Sequence, residues 1–300
     1  MTAKTTAEGA TDALTGAVRH AKGGRIAFQG ELGAYSHQAC REVYPDMEPA
    51  PCATFEDAVA AVKSGAAALA MLPVENSTYG RVADIHRLLP ESGLYIIAEH
   101  FVPVRIQLLG GADVQLEDVR EAASHTVLLG QCRRFLTERA IRPITAADTA
   151  GAAKTVAAGA APGRAALASS LAGEIYGLKT LAANIQDNDH NTTRFLVMSP
   201  RKIEADPTAG RAMTSFVFQV RNVPAALYKA MGGFATNGIN MVKLESYMVD
   251  GSFTATQFYA DIDGHIEDRS VQFAMEELGF FTSYLKILGT YPRSAARDGR

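Results

Sequence analysis

The apolar positions of this chain fall into two regimes. Between Arg25 and Met198, short apolar runs alternate with longer amphipathic stretches. Arg25-Ile-Ala-Phe-Gln29 reads as a strand entering a glycine loop, Gly30-Glu-Leu-Gly33, and then a helix from Tyr35-Ser36 to about Tyr44. Cys52-Ala53 ends a second strand. Thr54-Phe-Glu-Asp57 has the form of a capping box, with Asp57 in place of the usual Glu, and Gly65 closes the helix it opens. Ala66 to Val74 is unbroken apolar, as in a strand buried on both faces. The polar loop Glu75-Asn-Ser-Thr-Tyr-Gly80 follows, then a helix near 82–89 and a strand near 94–98. Further strands are expected near 104–109, 141–146, 164–168 and 194–198, with helices near 127–139, 148–158 and 169–176. This alternation predicts a mostly parallel sheet with helices on its faces, and such sheets bind ligands at the carboxyl ends of their strands.

Residues 199–213 hold two prolines, several charges and no periodicity, which marks a linker. Beyond it the pattern changes. Phe216, Phe218 and Val220 alternate as a half-buried strand, and Pro224 opens a helix with Leu227, Met231 and Phe234 on one face. Asn237-Gly238 breaks that helix. Strands near 240–248 and 253–261 turn at Asp250-Gly251, a hairpin signal. A helix carrying Val271, Ala274, Met275 and Leu278 and a strand over Tyr284–Leu288 complete a βαββαβ order, that of a ferredoxin-like domain.

Charge and composition narrow the function. Among 300 residues, 29 Lys+Arg face 32 Asp+Glu, a net charge of −3, so nothing is in excess to neutralise nucleic-acid phosphates. Three cysteines without CxxC spacing point to reduced thiols in the cytoplasm, as small core side chains. No run approaches the ~20 apolar residues that cross a bilayer. Residues 1–24 are small and polar and lack the apolar core of a secretory leader, so they read as a tail.

The candidate chemistry lies in the loops after strands. The seven histidines make no HxH or HExxH, and no metal site is expected. Asp187-Asn-Asp189 lacks the glycine and glutamate of a calcium loop, with Thr192 and Met198 in those places. Gly30 and Gly33 do not have dinucleotide or P-loop spacing. Backbone amides near Gly33, Tyr35 and Ser36 suit a small anion, or form only a tight turn. Arg194 could grip a carboxylate bidentately, with Thr192 and Thr193 beside it as hydroxyl donors, or this could be an ordinary loop. Glu75-Asn-Ser77 is a similar cluster. Residue types alone thus describe a two-part α/β protein that binds a small anion and carries a small sensing domain.

Six motifs in order, Phe28-Gln-Gly-Glu-Leu-Gly-Ala-Tyr-Ser36, Leu72-Pro-Val-Glu-Asn-Ser77 with Gly80, Ser124-His125 with Gln131-Cys132, Asp148-Thr-Ala150, Tyr176-Gly-Leu178 and Thr193-Arg-Phe195, resemble the prephenate dehydratase family. The segment from 214 to 292 resembles an ACT domain, an amino-acid-sensing module. The resemblance runs from Arg25 to Pro292. It implies a two-lobed catalytic domain like a type II periplasmic binding protein over 25–200, with lobe 1 at 25–103 and 190–200 and lobe 2 at 104–189. A linker (201–213), the ACT domain (214–292) and a tail (293–300) would follow.

The implied reaction converts prephenate to phenylpyruvate, water and CO2. Aromatisation drives it, so no cofactor is expected. By resemblance, Thr193 would hydrogen-bond the leaving hydroxyl, and Glu75, Asn76 and Gln131 would orient it or the substrate. Arg194 would anchor a carboxylate and Phe195 would keep the site apolar. Ser77, Gly33, Tyr35, Ser36, Thr149 and Ser169 would complete the substrate site. Thr193→Ala should then lower kcat, and Arg194→Ala should mainly weaken binding. L-Phenylalanine is the implied effector, held between ACT domains of a dimer or tetramer near Ala225, Ala226, Leu227, Asn237, Glu245 and Ser246.

Several positions depart from the family pattern. Thr126 stands where Pro is common after His125, and Ser170 where some members carry Glu after Ser169. Ala225 occupies the Gly of Pro-Gly-Ala-Leu, and Tyr247-Met248 replaces the Arg-Pro after Glu245-Ser246. Ala225 adds a methyl where glycine admits close backbone approach, so an altered phenylalanine response is expected. No chorismate mutase segment precedes Arg25, which suggests a monofunctional cytoplasmic enzyme. Arogenate dehydratase, acting on the amino analogue, and a non-catalytic anion sensor are the competing readings.

Overall fold

The computed structural model describes residues 24–159, 161–221, 223–248 and 255–298. Its strands form three sheets. The first contains β1 (Arg25–Gln29), β2 (Glu48–Cys52), β3 (Leu69–Asn76), β4 (Gly80–Arg81), β5 (Tyr95–Pro103) and β11 (Thr192–Ser199), in the order β2-β1-β3-β11-β5 with β4 on β3. Pro49 and Pro51 lie in β2, at the sheet edge where a missing N–H is tolerated. Helices α1 (Tyr35–Val43), α2 (Phe55–Lys63) and α3 (Ala83–Leu88) cover this sheet. The capping box at Thr54 forms with Asp57, as the sequence predicts.

The second sheet comprises β6 (Gln107–Gly110), β7 (Glu121–Ser124), β8 (Arg142–Thr145), β9 (Arg164–Ala168) and β10 (Lys179–Ala182), in the order β10-β6-β9-β7-β8. Around it lie α4 (Thr126–Gln131), α5 (Arg133–Glu138), α6 (Thr149–Ala157) and α7 (Ser170–Tyr176). The chain crosses from the first lobe to the second after β5 and returns at β11. Val104 N–H donates to Asn191 O at 2.8 Å, tying the two crossovers together.

This is the two-lobed α/β arrangement that the sequence suggests, with one correction. The sheets are mixed, not mostly parallel. Pairs β1–β2, β1–β3, β7–β8 and β7–β9 are parallel, whereas β11 runs antiparallel to both β3 and β5, and β6 antiparallel to β9 and β10. The return strand inserts between β3 and β5, so the lobe is closed by a strand from the far end of the segment. Strands β7 and β10 are not apparent from periodicity. The expected single helix over 127–139 is two helices, broken at Cys132.

The third sheet is antiparallel, in the order β13-β14-β12-β15, from β12 (Ala212–Val220), β13 (Met241–Met248), β14 (Ala255–Asp263) and β15 (Thr282–Pro292). With α8 (Ala226–Thr236) and α9 (Arg269–Phe281) it gives the βαββαβ order and the ferredoxin-like strand order. The Asp250-Gly251 turn lies outside the described residues. The helices bury Phe216, Phe218, Phe234, Val271 and Leu278 against one sheet face. The opposite face contributes Met213, Val217, Tyr259, Leu288 and Tyr291 to the same apolar core as Leu72, Ile96, Leu196 and Met198 of the first lobe. At this seam Gly289 packs directly on β5: an added Cβ would overlap the Ile96 carbonyl.

Candidate functional site

Strand β11, inside the lobe 1 sheet, begins at the return crossover and carries Thr192-Thr193-Arg194-Phe195. Its alternation sends neighbours to opposite faces. Leu196 and Met198 belong to the core shared with the C-terminal domain, and Phe195 and Val197 to the core under α1. Arg194 follows the first pair and Thr193 the second.

On β3 the same division depends on a bulge. Leu196 pairs with Leu72, Phe195 with Pro73, and Arg194 with Glu75, so Val74 is an extra residue. Such a bulge re-aims the side chains beyond it. Glu75 therefore joins Arg194 on the side of the C-terminal domain, and Asn76 pairs with Thr193 on the other.

The Asn76 side chain is fixed by four contacts. Its Oδ1 accepts from the N–H of Thr78 (2.9 Å) and Tyr79 (3.0 Å). This orients Nδ2 to donate to Asn191 Oδ1 (2.7 Å) and Thr193 Oγ1 (3.0 Å). Because the Thr193 oxygen accepts that bond, its own proton is free for another acceptor. Ser77 braces the same turn: its Oγ donates to His190 O (2.8 Å) and accepts from Thr192 N–H (2.9 Å).

Beside this cluster lies a cavity of about 110 Å³ at the junction of the lobes, lined by Thr78, Tyr79, Gly130, Gln131, Asn188 and Asn191 among others. Gln131 is buried, and its Oε1 has no partner among the described residues. Tyr79 spans the lobes, its hydroxyl donating to Val127 O at 3.2 Å. Neither Tyr79 nor Asn191 is evident as a site residue from the sequence, although both adjoin motif residues.

Of the other residues expected at the substrate site, Ser169, Gly33 and Tyr35 make contacts between the lobes. Ser169 is buried; its Oγ caps α7 through Ala172 N–H (3.1 Å) and donates to Gly33 O (2.6 Å). Gly33, at φ +93°, presses on the start of α7, where an added Cβ would come 2.7 Å from Ala172 Cα. Its N–H donates to His37 Nδ1 (3.0 Å), so this amide is not free for an anion. Tyr35 hydroxyl donates to Arg105 O (2.9 Å). Ser36 is buried, and Thr149 begins α6 behind the Asp148 cap.

Three expectations are corrected. Phe195 is a core residue packed with Phe28, Ile97 and Val102. Glu75 faces away from Asn76 and Thr193. Arg194 is 1% exposed, and its guanidinium is filled by protein partners. Its Nε donates to Glu99 (2.8 Å), Nη1 to Glu75 (2.9 Å) and Asp261 (2.6 Å), and Nη2 to the Tyr291 hydroxyl (2.8 Å). Glu99 and Asp261 side chains are 0% exposed. Burial pushes the Asp261 carboxyl up, but Arg194 and hydrogen bonds from Ser215 and Tyr259 hold it below the usual range. A substrate carboxylate would have to displace one of these buried partners, so Arg194 is not its anchor. Its geometry is that of an ion-pair hub between domains.

Within one chain the expected effector residues lie at both ends of α8 and on β13, so a site formed from all of them would need a second subunit. Ala225 precedes α8 at φ +61° and Leu227 lies in its first turn, whereas Asn237 caps its other end, about 15 Å from Leu227 at 1.5 Å per residue. Asn237 Nδ2 donates to Gly233 O (2.8 Å) and Glu277 (3.2 Å). Ala226 is buried. Glu245 turns toward lobe 1, 3.6 Å from Arg81 and 3.2 Å from Lys243, and Ser246 O accepts from Arg81 (2.8 Å).

Two α/β lobes joined by paired crossovers enclose a small cavity at their junction, lined by amides and hydroxyls together with the carboxylate of Asp187. Comparison with known proteins is specific: the prephenate dehydratase family profile matches residues 26–203, and the chain belongs to that family. A Komagataeibacter europaeus protein named as a bifunctional N-acyl-homoserine lactone acylase/prephenate dehydratase is 48% identical over 91% of this chain and 97% of its own. Arogenate dehydratase/prephenate dehydratase 1 of Arabidopsis thaliana is 38% identical over 91% of this chain and 73% of its own. A crystal structure of prephenate dehydratase from Arthrobacter aurescens with L-Phe superposes with a TM-score of 0.82 at 30% identity, covering 90% of each chain. No helix among the described residues is long and apolar enough to cross a membrane.

Proposed function

We propose that this protein is a cytoplasmic prephenate dehydratase, with residues 25–200 as the catalytic unit and an ACT domain at 214–292 that senses L-phenylalanine and pairs subunits. The observation that carries the reading is the Asn76–Thr193 hydrogen bond beside the inter-lobe cavity. In the proposed step, the bond between ring carbon and carboxylate breaks and CO2 leaves. Its electron pair enters the ring, and the C–OH bond at the opposite carbon breaks. The departing hydroxyl takes up a proton supplied by solvent water and leaves as water, the hydroxide formed being neutralised in bulk. Thr193, with its oxygen held by Asn76, points its proton at that hydroxyl and stabilises the charge developing there. Gln131 supplies a buried acceptor. Prephenate incubated with purified protein should yield phenylpyruvate, and Thr193→Ala should suppress it. No turnover of prephenate by folded protein would overturn the reading.

A second reading is favoured by the 48% identity to the Komagataeibacter protein along nearly its whole length. On that reading the chain also hydrolyses N-acyl-homoserine lactones. Release of homoserine lactone and fatty acid is the readout. Arogenate belongs in the same assay, since a preference for it would move the assignment to arogenate dehydratase.

A further inference from the structure

Lys243 stands on β13, an edge strand of the C-terminal sheet, with its side chain turned toward lobe 1. Its Nζ lies 2.6 Å from Glu75 Oε2 and 3.2 Å from Glu245 Oε1. The other oxygen of Glu75 accepts from Arg194 at 2.9 Å. Each Glu75 oxygen thus has a cation from a different direction, Arg194 from within lobe 1 and Lys243 from the C-terminal domain. Glu75 immediately precedes Asn76, the residue that fixes Thr193. Both belong to the short corner in which Glu75 pairs with Arg81 and Asn76 with Gly80.

Resting on the dehydratase reading above, we infer that Lys243 is a positioning residue for the reaction: by pinning Glu75 from the C-terminal domain, it sets the corner from which Asn76 aims the Thr193 hydroxyl. It touches no substrate. The mechanical logic is short. Without Lys243, one oxygen of a half-buried carboxylate loses its partner, and Glu75 must rotate or draw in water. Rotation moves the peptide shared with Asn76. A misplacement of about 1 Å at a reacting group costs on the order of 100-fold in rate. The bond also gives the C-terminal domain a direct hold on the cleft, through Glu75 on one face of β3 and Asn76 on the other.

Burial pushes the Glu75 carboxyl up, but Arg194 and Lys243 together hold it below the usual range. Glu245 faces Lys243, and the buried His86 and Asp261 also lie in its electrostatic surroundings. Removing Lys243 leaves Arg194 as the remaining cation bonded to Glu75, so protonation of Glu75 moves to higher pH.

The test compares Lys243→Met and Lys243→Gln with Lys243→Arg in the full chain, with prephenate as substrate. The expected result for Met and Gln is a kcat at least tenfold lower, with KM within about twofold and the acid limb of the pH–rate profile displaced upward. Arg restores most of kcat and returns the limb. Melting curves confirm folding, and Gln serves if Met is poorly folded. Wild-type kcat and an unshifted limb in either folded neutral variant would overturn the role of Lys243 alone. A wild-type protein without prephenate turnover would instead overturn the dehydratase reading beneath it.

Discussion

Thr193 and Arg194 are consecutive, yet they face opposite sides of one sheet: Thr193 is bonded to Asn76 beside the inter-lobe cavity, and Arg194 to Asp261 of the C-terminal domain at 2.6 Å. One strand therefore carries the candidate reacting hydroxyl on one face and the anchor of a second domain on the other. The motif Thr-Arg-Phe combines three separate tasks, since Phe195 is core.

The first task predicts a kinetic effect. Thr193→Ala removes the donor and should lower kcat by about 100- to 1000-fold, the usual loss for a preorganised donor at developing charge. KM should change little. Steady-state assay of phenylpyruvate formation measures both, and Thr193→Ser, which keeps the hydroxyl, should retain more activity than Ala.

The second task predicts a stability effect. Arg194→Met leaves Asp261 buried without its cation, while Glu99 keeps Arg297 at 2.8 Å. Breaking a buried ion pair in this way costs about 3–5 kcal/mol. Urea denaturation should show that loss, where a simple substrate anchor would raise KM and leave the midpoint alone.

Acid should weaken the molecule from near neutrality downward. His86 is 2% exposed, meets the Tyr259 ring edge-on at 4.9 Å between centroids, and has neither ring nitrogen partnered among the described residues. Burial, assisted by Lys243, lowers its pKa from 6.5 to about 4. The unfolded chain thus binds a proton that the folded chain refuses between about pH 6.5 and 4, and stability falls through that window as pH falls. The slope approaches about 1.4 kcal/mol per pH unit. Glu75 and Asp261, both depressed, add a loss of the same sign below their ordinary values. Melting temperatures against pH should reveal the upper window, and His86→Phe should flatten it.

Ala225→Gly should stabilise the protein. Ala225 holds φ +61°, a left-handed conformation that costs an L-residue about 1–2 kcal/mol. Glycine adopts it freely but loses more chain entropy on folding, leaving a net gain of about 1 kcal/mol. Thermal denaturation of the variant measures it.

Much of the fold is legible in local pattern. Thr54 and Asp57 announce their helix, and Phe216, Phe218 and Val220 announce their strand. The sandwiching of β11 between β3 and β5 is not legible, because antiparallel partners about a hundred residues apart leave no periodic trace. Glu121-Ala-Ala-Ser124 is too short and too small to register as a strand. At the site, the family resemblance rather than residue type singles out Asn76, Thr193 and Gln131, and the structure brings Asn76 and Thr193 into contact. The misreadings of Glu75 and Arg194 share one cause. The side to which each points depends on the extra residue Val74 and on Asp261 and Lys243, and pairings at such sequence separation are set by tertiary packing. Gly33 and Ser169 are prominent in the motifs for a related reason: they join the lobes to each other.

The core common to lobe 1 and the C-terminal sheet bears on how the chain matures during translation. A ribosome delivers Leu72, Ile96, Leu196 and Met198 well before Leu288 and Tyr291, which cover them. Arg194 likewise emerges with Glu99 already made and Asp261 still to come. A nascent chain in that interval exposes a greasy sheet face beside a half-satisfied charge, the condition that invites chaperones and self-association. This face of lobe 1 is thus among the last surfaces of the molecule to be sealed, and its sealing waits on β15.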